Sequence, residues 1–241
     1  MKKVHILLAL LVAASFSSCK KDTKPATPAY TCTTCKTAPD ALVANNTSSK
    51  GIYKGVVIGS SGTVMFDIAN NGTTITALMV IDGITVNLSS AVTWVAGQPY
   101  IANFTGLLNG SAVSVNFSVG LGGGAPTVTS SSIPGHPNST FNIVKETSTN
   151  LIQCFEGAYS TTLPETGTFN MIILKTTGIW GGIHRKTGST TTGNMDGTIS
   201  NNQLFGTGQA GTIGTVTADQ ISGSFLDGNN KTVTITAKRT L

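Results

Sequence analysis

The sequence predicts an all-β protein built from antiparallel strands, arranged as two tandem small up-and-down barrels. Three observations carry that prediction. Apolar side chains alternate with polar ones along most of the chain after residue 50, Gly, Asn and Asp pairs punctuate the alternating runs, and the second half repeats the first. No stretch after Cys19 carries the 3.6-residue period of an amphipathic helix.

The first clear run holds Val64, Phe66 and Ile68 on one face, with Thr63 and Asp67 opposite. Val113, Val115, Phe117 and Val119 alternate with Ser114, Asn116 and Ser118, and Val233, Ile235 and Ala237 alternate with Thr232, Thr234 and Thr236. Period two with one apolar face describes a half-buried antiparallel strand. Turn signals fall at Asn70-Asn71-Gly72, Asp82-Gly83, Asn109-Gly110, Asp196-Gly197 and Asp227-Gly228.

Four segments match in chain order. Gly51-Ile52-Tyr53-Lys54-Gly55 pairs with Gly157-Ala158-Tyr159-Ser160, and Gly62-Thr63-Val64-Met65-Phe66 with Gly167-Thr168-Phe169-Asn170-Met171. Phe104-Thr105-Gly106 pairs with Leu204-Phe205-Gly206, and residues 139–145 with 231–237. The shrinking offset implies insertions in the first copy, for instance around Gly120 to Pro126. The repeats are residues 51–148 and 155–241, each long enough for seven or eight short strands. A sheet of that size loses its edges by closing into a barrel. On strand count and Gly spacing the halves resemble the lipocalin-like barrels of bacterial lipoproteins. One barrel or sandwich shared by both halves is the alternative. A transmembrane barrel would need strands of about 9–11 residues and aromatic girdles, whereas aromatic residues are 6% of this chain.

The N-terminus reads as an export signal over residues 1–18. Lys2 and Lys3 are followed by an apolar run from Val4 to Phe16, too short for the roughly 20 residues that span a bilayer. Phe16-Ser17-Ser18-Cys19 resembles the lipobox of bacterial lipoproteins, departing from it at Phe16, where Leu is commonest. The resemblance implies cleavage before Cys19, acylation of Cys19 and a palmitate-type membrane anchor. Lys20, in place of Asp, implies an outer-membrane lipoprotein facing either the periplasm or the cell surface. Residues 19–50, rich in Lys, Thr, Pro, Ala and Asn, read as a lipid-anchored flexible tether.

Composition narrows the function. Charged residues make up 10% of the chain and the net charge is +5, falling to +3 without residues 1–18. That charge is small and scattered, which excludes nucleic acid as a partner. Besides Cys19, three cysteines remain. Cys32 and Cys35 form a Cys-Thr-Thr-Cys motif with no helix to make it thioredoxin-like and no fourth ligand near enough for zinc. A structural disulfide is expected, either Cys32 with Cys35 or one of them with Cys154.

Catalytic chemistry finds little support. Asp82, Asp196 and Asp227 precede Gly at turns, Glu156 and Glu165 have no pairing argument, and no serine sits in a Gly-x-Ser-x-Gly elbow. The Gly122-Gly123-Gly124 run lacks the Lys-Ser/Thr of a phosphate loop. No catalytic residue, metal or cofactor is assigned. Trp180 with His184-Arg185-Lys186 is the one concentration of aromatic and basic groups, and Trp180, His184 and Arg185 are the candidate ligand contacts, suited to a sugar, an anion or a headgroup. The expectation is a non-catalytic, membrane-anchored envelope module whose partner is a small apolar ligand, a glycan or an envelope protein. The alternative is a carrier with its ligand inside a barrel, which an interior plugged by Phe66, Phe117, Phe169 and Phe225 would disfavour.

Overall fold

The computed structural model describes residues 30–241; the signal segment and Cys19 lie outside the described residues. The fold is all-β, in two consecutive eight-stranded antiparallel meanders. The first comprises β1 (Gly51–Ile58), β2 (Gly62–Ile68), β3 (Ile75–Ile81), β4 (Ile84–Ser89), β5 (Tyr100–Leu108), β6 (Ser111–Val119), β7 (Thr127–Ser132) and β8 (Thr140–Lys145). The second comprises β9 (Ile152–Thr161), β10 (Thr166–Leu174), β11 (Ile179–Lys186), β12 (Gly193–Ser200), β13 (Gln203–Gly206), β14 (Thr212–Thr217), β15 (Gln220–Leu226) and β16 (Thr232–Arg239). In each meander the last strand returns to pair with the first, β8 with β1 and β16 with β9.

The second sheet closes fully, because β15 also pairs with β16. The first is nearly closed and keeps a seam between β7 and β8, which share no ladder. The connections explain the difference. Asp227 folds the short β15–β16 turn by accepting from the Asn229 and Lys231 amides, whereas residues 133–139 separate β7 from β8. The four sequence matches fall on equivalent strands: β1 with β9, β2 with β10, β5 with β13, and β8 with β16. The expected insertion in the first copy forms a short 3-10 turn at Leu121–Gly123, where the second barrel has only Ala218–Asp219.

The turn signals at Asp82-Gly83 and Asn109-Gly110 are two-residue hairpin turns, with φ of 47° and 77° and of 50° and 82°. Asp196-Gly197 is a correction. It lies inside β12, where Gly197 supplies room for a neighbouring ring rather than a turn.

The first barrel is filled by aromatic rings. Phe66 stacks on Phe117 at 4.3 Å between centroids, and Phe104 and Tyr53 meet this pair edge-on at 5.0 and 5.3 Å. Such offset and T-shaped packing adds to the apolar burial of four large side chains.

All eight residues of β1 are buried. Tyr53 and Val57 face the interior, while Val56 and Ile58 face outward onto Ile152, Cys154, Ile172 and Ile183 of the second barrel. This apolar face joins the barrels. Beside it Lys54, 1% exposed, donates to Glu146 Oε1 at 2.7 Å and lies 3.1 Å from Asp40 Oδ2. Glu146, fully buried, also accepts from the Asp40 and Ile152 amides. A buried ion pair of this kind is tolerated because its remaining lone pairs are satisfied.

Residues 30–50 differ from the expected tether: they form a strap bonded to both barrels. Tyr30 Oη donates to Arg239 O, the Cys32 amide to Asp219 Oδ2, and Arg239 Nη2 to Lys36 O. Further on, Leu42 N and Asn45 Nδ2 donate to Asn70, whose own Nδ2 donates to Asp40 O. The order comes from side chain–backbone hydrogen bonds, which leave no apolar periodicity to read. Cys32 and Cys35 are disulfide-bonded, with Cα atoms 5.4 Å apart. Cys154 is a free, buried thiol in the inter-barrel face.

Candidate functional site

The second barrel is packed solid at one end and hollow at the other. Phe155, Ile173, Ile199, Leu204, Val216 and Ile221 fill the end near the C-terminus. Toward the β9–β10, β11–β12, β13–β14 and β15–β16 connections the interior opens into a cavity of about 430 Å³. Its wall is mostly apolar: Phe169, Met171, Trp180, Met195, Ile213, Phe225 and Ile235. A size in the few-hundred-Å³ range with a sparse polar rim is typical of small-molecule pockets.

A recurring local rule builds this wall. Four rings sit directly across a strand pair from a glycine: Phe169 from Gly157, Tyr159 from Gly167, Trp180 from Gly197 and His184 from Gly193. A Cβ at Gly157 would lie 2.6 Å from Phe169 Cζ, and one at Gly197 would lie 2.8 Å from Trp180 Cε2. Each glycine therefore clears space for the facing ring to lie flat along the wall. Trp180 is fixed further by Nε1, which reaches the Thr198 and Phe205 carbonyls at 3.0 and 3.2 Å.

The rim is polar and its charges are engaged. Glu165 pairs with Lys186 at 2.9 Å, a contact that holds its carboxyl below the ordinary range. Asp196 accepts from Thr207 Oγ1 at 2.6 Å. Asp227 is held low mainly by the Lys231 amide. Tyr159 approaches His184 edge-on at 6.3 Å, and burial pushes its phenol up. These contacts hold charge at the mouth and leave an apolar chamber below it.

The three residues singled out in the sequence divide between two places. Trp180 and His184 line the cavity. Arg185 points the opposite way, because adjacent strand residues face opposite sides of a sheet. It is 9% exposed and reaches the first barrel, with Nη2 donating to Asn138 O at 2.6 Å and to Thr192 Oγ1 at 2.7 Å. Of the four phenylalanines whose packing would decide against a carrier, Phe66 and Phe117 plug the first barrel, while Phe169 and Phe225 line a cavity rather than fill it. Tyr159, Met171 and Met195 were missed as site residues. Their signal was phase: Tyr159 stands across from Gly167 and Met195 lies two residues before Gly197 in β12.

Glu156 and Glu165 do not pair. Glu156 lies against Thr240 and Ser61, with its carboxyl raised by burial, and Glu165 is bound to Lys186. Among the described residues no three His, Cys, Asp or Glu side chains converge as metal ligands, and no helix is long and apolar enough to cross a membrane. Comparison with protein-family models, with curated proteins and with solved structures returns no match to this chain.

Proposed function

We propose that this chain is an exported lipoprotein, held at the outer membrane by acyl chains on Cys19, and that it is a non-catalytic binding module. Its second barrel takes a small, mainly apolar ligand. The observation that carries this reading is the contrast between two barrels of one repeat. One interior is filled by four aromatic side chains packed on one another, and the other keeps a cavity of about 430 Å³ behind a polar rim. A void of that size, lined by Trp, Phe and Met, costs stability unless something fills it. The glycines opposite its rings keep it open at the expense of strand propensity. A flat or short-chain ligand with one polar end suits the wall and the rim together.

Anchoring is supported by the Phe16-Ser17-Ser18-Cys19 motif after an apolar run, and two or more acyl chains make a stable anchor. Radiolabelled palmitate tests it: incorporation that disappears in Cys19→Ala supports the anchor, and unchanged label refutes it. The ligand reading is tested by Trp180 fluorescence in a Trp94→Phe background, titrated with an apolar naphthalene probe. Saturable quenching is expected from the wild-type cavity. It should be lost in Gly182→Leu, whose side chain would meet Met171 and Met195. Unsaturable quenching, or quenching equal in both proteins, would refute the site.

A further inference from the structure

Arg185 occupies an unusual position. It is buried to 9% exposure between the two barrels, yet no carboxylate lies within ion-pair distance of it among the described residues. Its partners are neutral: Asn138 O, Thr140 Oγ1 and Thr192 Oγ1. A buried cation without a counter-charge is expensive. Hydrogen bonds to neutral oxygens fix the guanidinium in place without cancelling its charge.

The free side of that guanidinium faces a cleft. Nη1 makes no hydrogen bond to the described residues and lies against Gly59, where a Cβ would collide with it. Gly59 has φ of 97°, so glycine is favoured there on conformational as well as spatial grounds. The cleft, about 510 Å³, runs between the β1–β2 turn and the β7–β8 loop of the first barrel and the β11–β12 turn of the second. Arg185, Lys186, Thr187 and Ser189 line it, and no acidic residue does.

The surrounding polar groups complete the pattern. Ser189 Oγ accepts from the Thr191 amide and so keeps its proton to donate. Lys186 borders the cleft, but its ammonium turns to Glu165 on the rim of the second-barrel cavity, which leaves Arg185 as the cleft's cation. Asp82 and Glu156 lie behind the cleft-lining Ser60 and Ser61; Glu156 is held by Thr240 and Ser61, and Asp82 is occupied. It accepts from Ser60 Oγ at 2.6 Å and the Ser61 amide at 3.1 Å, and it faces His136 at 3.5 Å.

We propose that this inter-barrel cleft binds a phosphate-class oxyanion, with Arg185 as its buried anchor and Ser189 as a rim donor. The unbonded Nη1 of a fixed guanidinium beside hydroxyl donors suits a tetrahedral oxyanion. The site is separate from the cavity of the second barrel and does not depend on that cavity holding a ligand. The anion would also join the barrels, since the guanidinium that binds it is braced by the β7–β8 loop.

The test is calorimetric titration of the full chain in detergent with inorganic phosphate, at ionic strength held constant with chloride. The wild type is expected to bind saturably, Arg185→Gln about ten-fold or more weakly, and Ser189→Ala about three-fold weakly. Ser189→Ala leaves the Arg185 brace intact, so it remains informative if Arg185→Gln fails to fold. Absence of saturable heat beyond chloride, or full affinity in a folded Arg185→Gln or in Ser189→Ala, would overturn the proposal. Glycerol phosphate and dihexanoyl phosphatidic acid separate the sources: tighter binding of the lipid assigns a headgroup, and tighter binding of glycerol phosphate assigns a soluble phosphate.

Discussion

Replacing Lys54 by Met isolates what the buried ion pair contributes to joining the barrels. Lys54 is 1% exposed and its ammonium serves both Glu146 and Asp40, at 2.7 and 3.1 Å. Met keeps most of the volume and removes the charge. Glu146, with no exposure, is then left with only the Asp40 and Ile152 amides. Stranding one member of a buried pair costs about 3–5 kcal/mol, or roughly two to four powers of ten in the folding equilibrium. Glu146→Gln should cost less, about 1–3 kcal/mol, because Asp40 remains as counter-ion and the amide oxygen still accepts. The double variant Lys54→Met/Glu146→Gln should recover to within about 2 kcal/mol of wild type. The assay is equilibrium urea unfolding followed by tryptophan fluorescence, since Trp94 reports on the first barrel and Trp180 on the second. A Lys54→Met loss below about 1 kcal/mol with an unchanged denaturant slope would mean that the pair is solvated and does not join the barrels, because a solvated pair costs that little to remove.

Three further outcomes follow from individual side chains. Burial pushes the Cys154 thiol up to about 12. A soluble form beginning at Lys20 should therefore show no thiol reactive with Ellman's reagent when native and one after guanidinium unfolding, with the Cys32–Cys35 bridge silent in both. Partial burial lowers Lys145 from 10.5 to about 8. Below pH 8 both folded and unfolded chains hold that proton; between about 8 and 10 the unfolded chain holds more, so its contribution makes stability rise with pH. Lys145→Met should flatten that rise. Above about 10 the buried Tyr53 phenol, which burial holds protonated, opposes it. Gly197→Ala places a Cβ 2.8 Å from the Trp180 ring and closer still to the Phe205 carbonyl. It should destabilise the second barrel by about 1–3 kcal/mol and shift Trp180 emission in a Trp94→Phe background, while leaving the first barrel's transition in place.

Strand positions were legible because period-two alternation is a direct record of one buried face. Val113 to Val119 and Val64 to Ile68 both lie on the interior as their pattern requires. The repeat was legible for the same reason, since each copy must present the same phase to close the same meander. Lys54 was opaque. It reads as the polar member of an alternating strand, yet the second barrel covers that face and forces the lysine into an ion pair. The strap was opaque too, because Asn45, Asn70 and Asp40 order it through hydrogen bonds that impose no periodicity.

The candidate site was half legible. Trp180 and His184 are in phase along β11 and share the cavity, so grouping them was sound. Arg185 is out of phase, and alternation alone would have sent it to the opposite face. The glycines across from Phe169, Tyr159, Trp180 and His184 were visible but uninterpretable without register, which sequence leaves open until the hairpins are placed.

The claim that the second barrel is a ligand chamber is tested most directly by native mass spectrometry of the soluble form beginning at Lys20, purified without detergent. A reproducible extra mass of a small molecule is expected, lost on denaturation and absent from Gly182→Leu. A bare polypeptide mass from the wild type, unchanged after incubation with lipid and small-molecule extracts of the envelope, would contradict it.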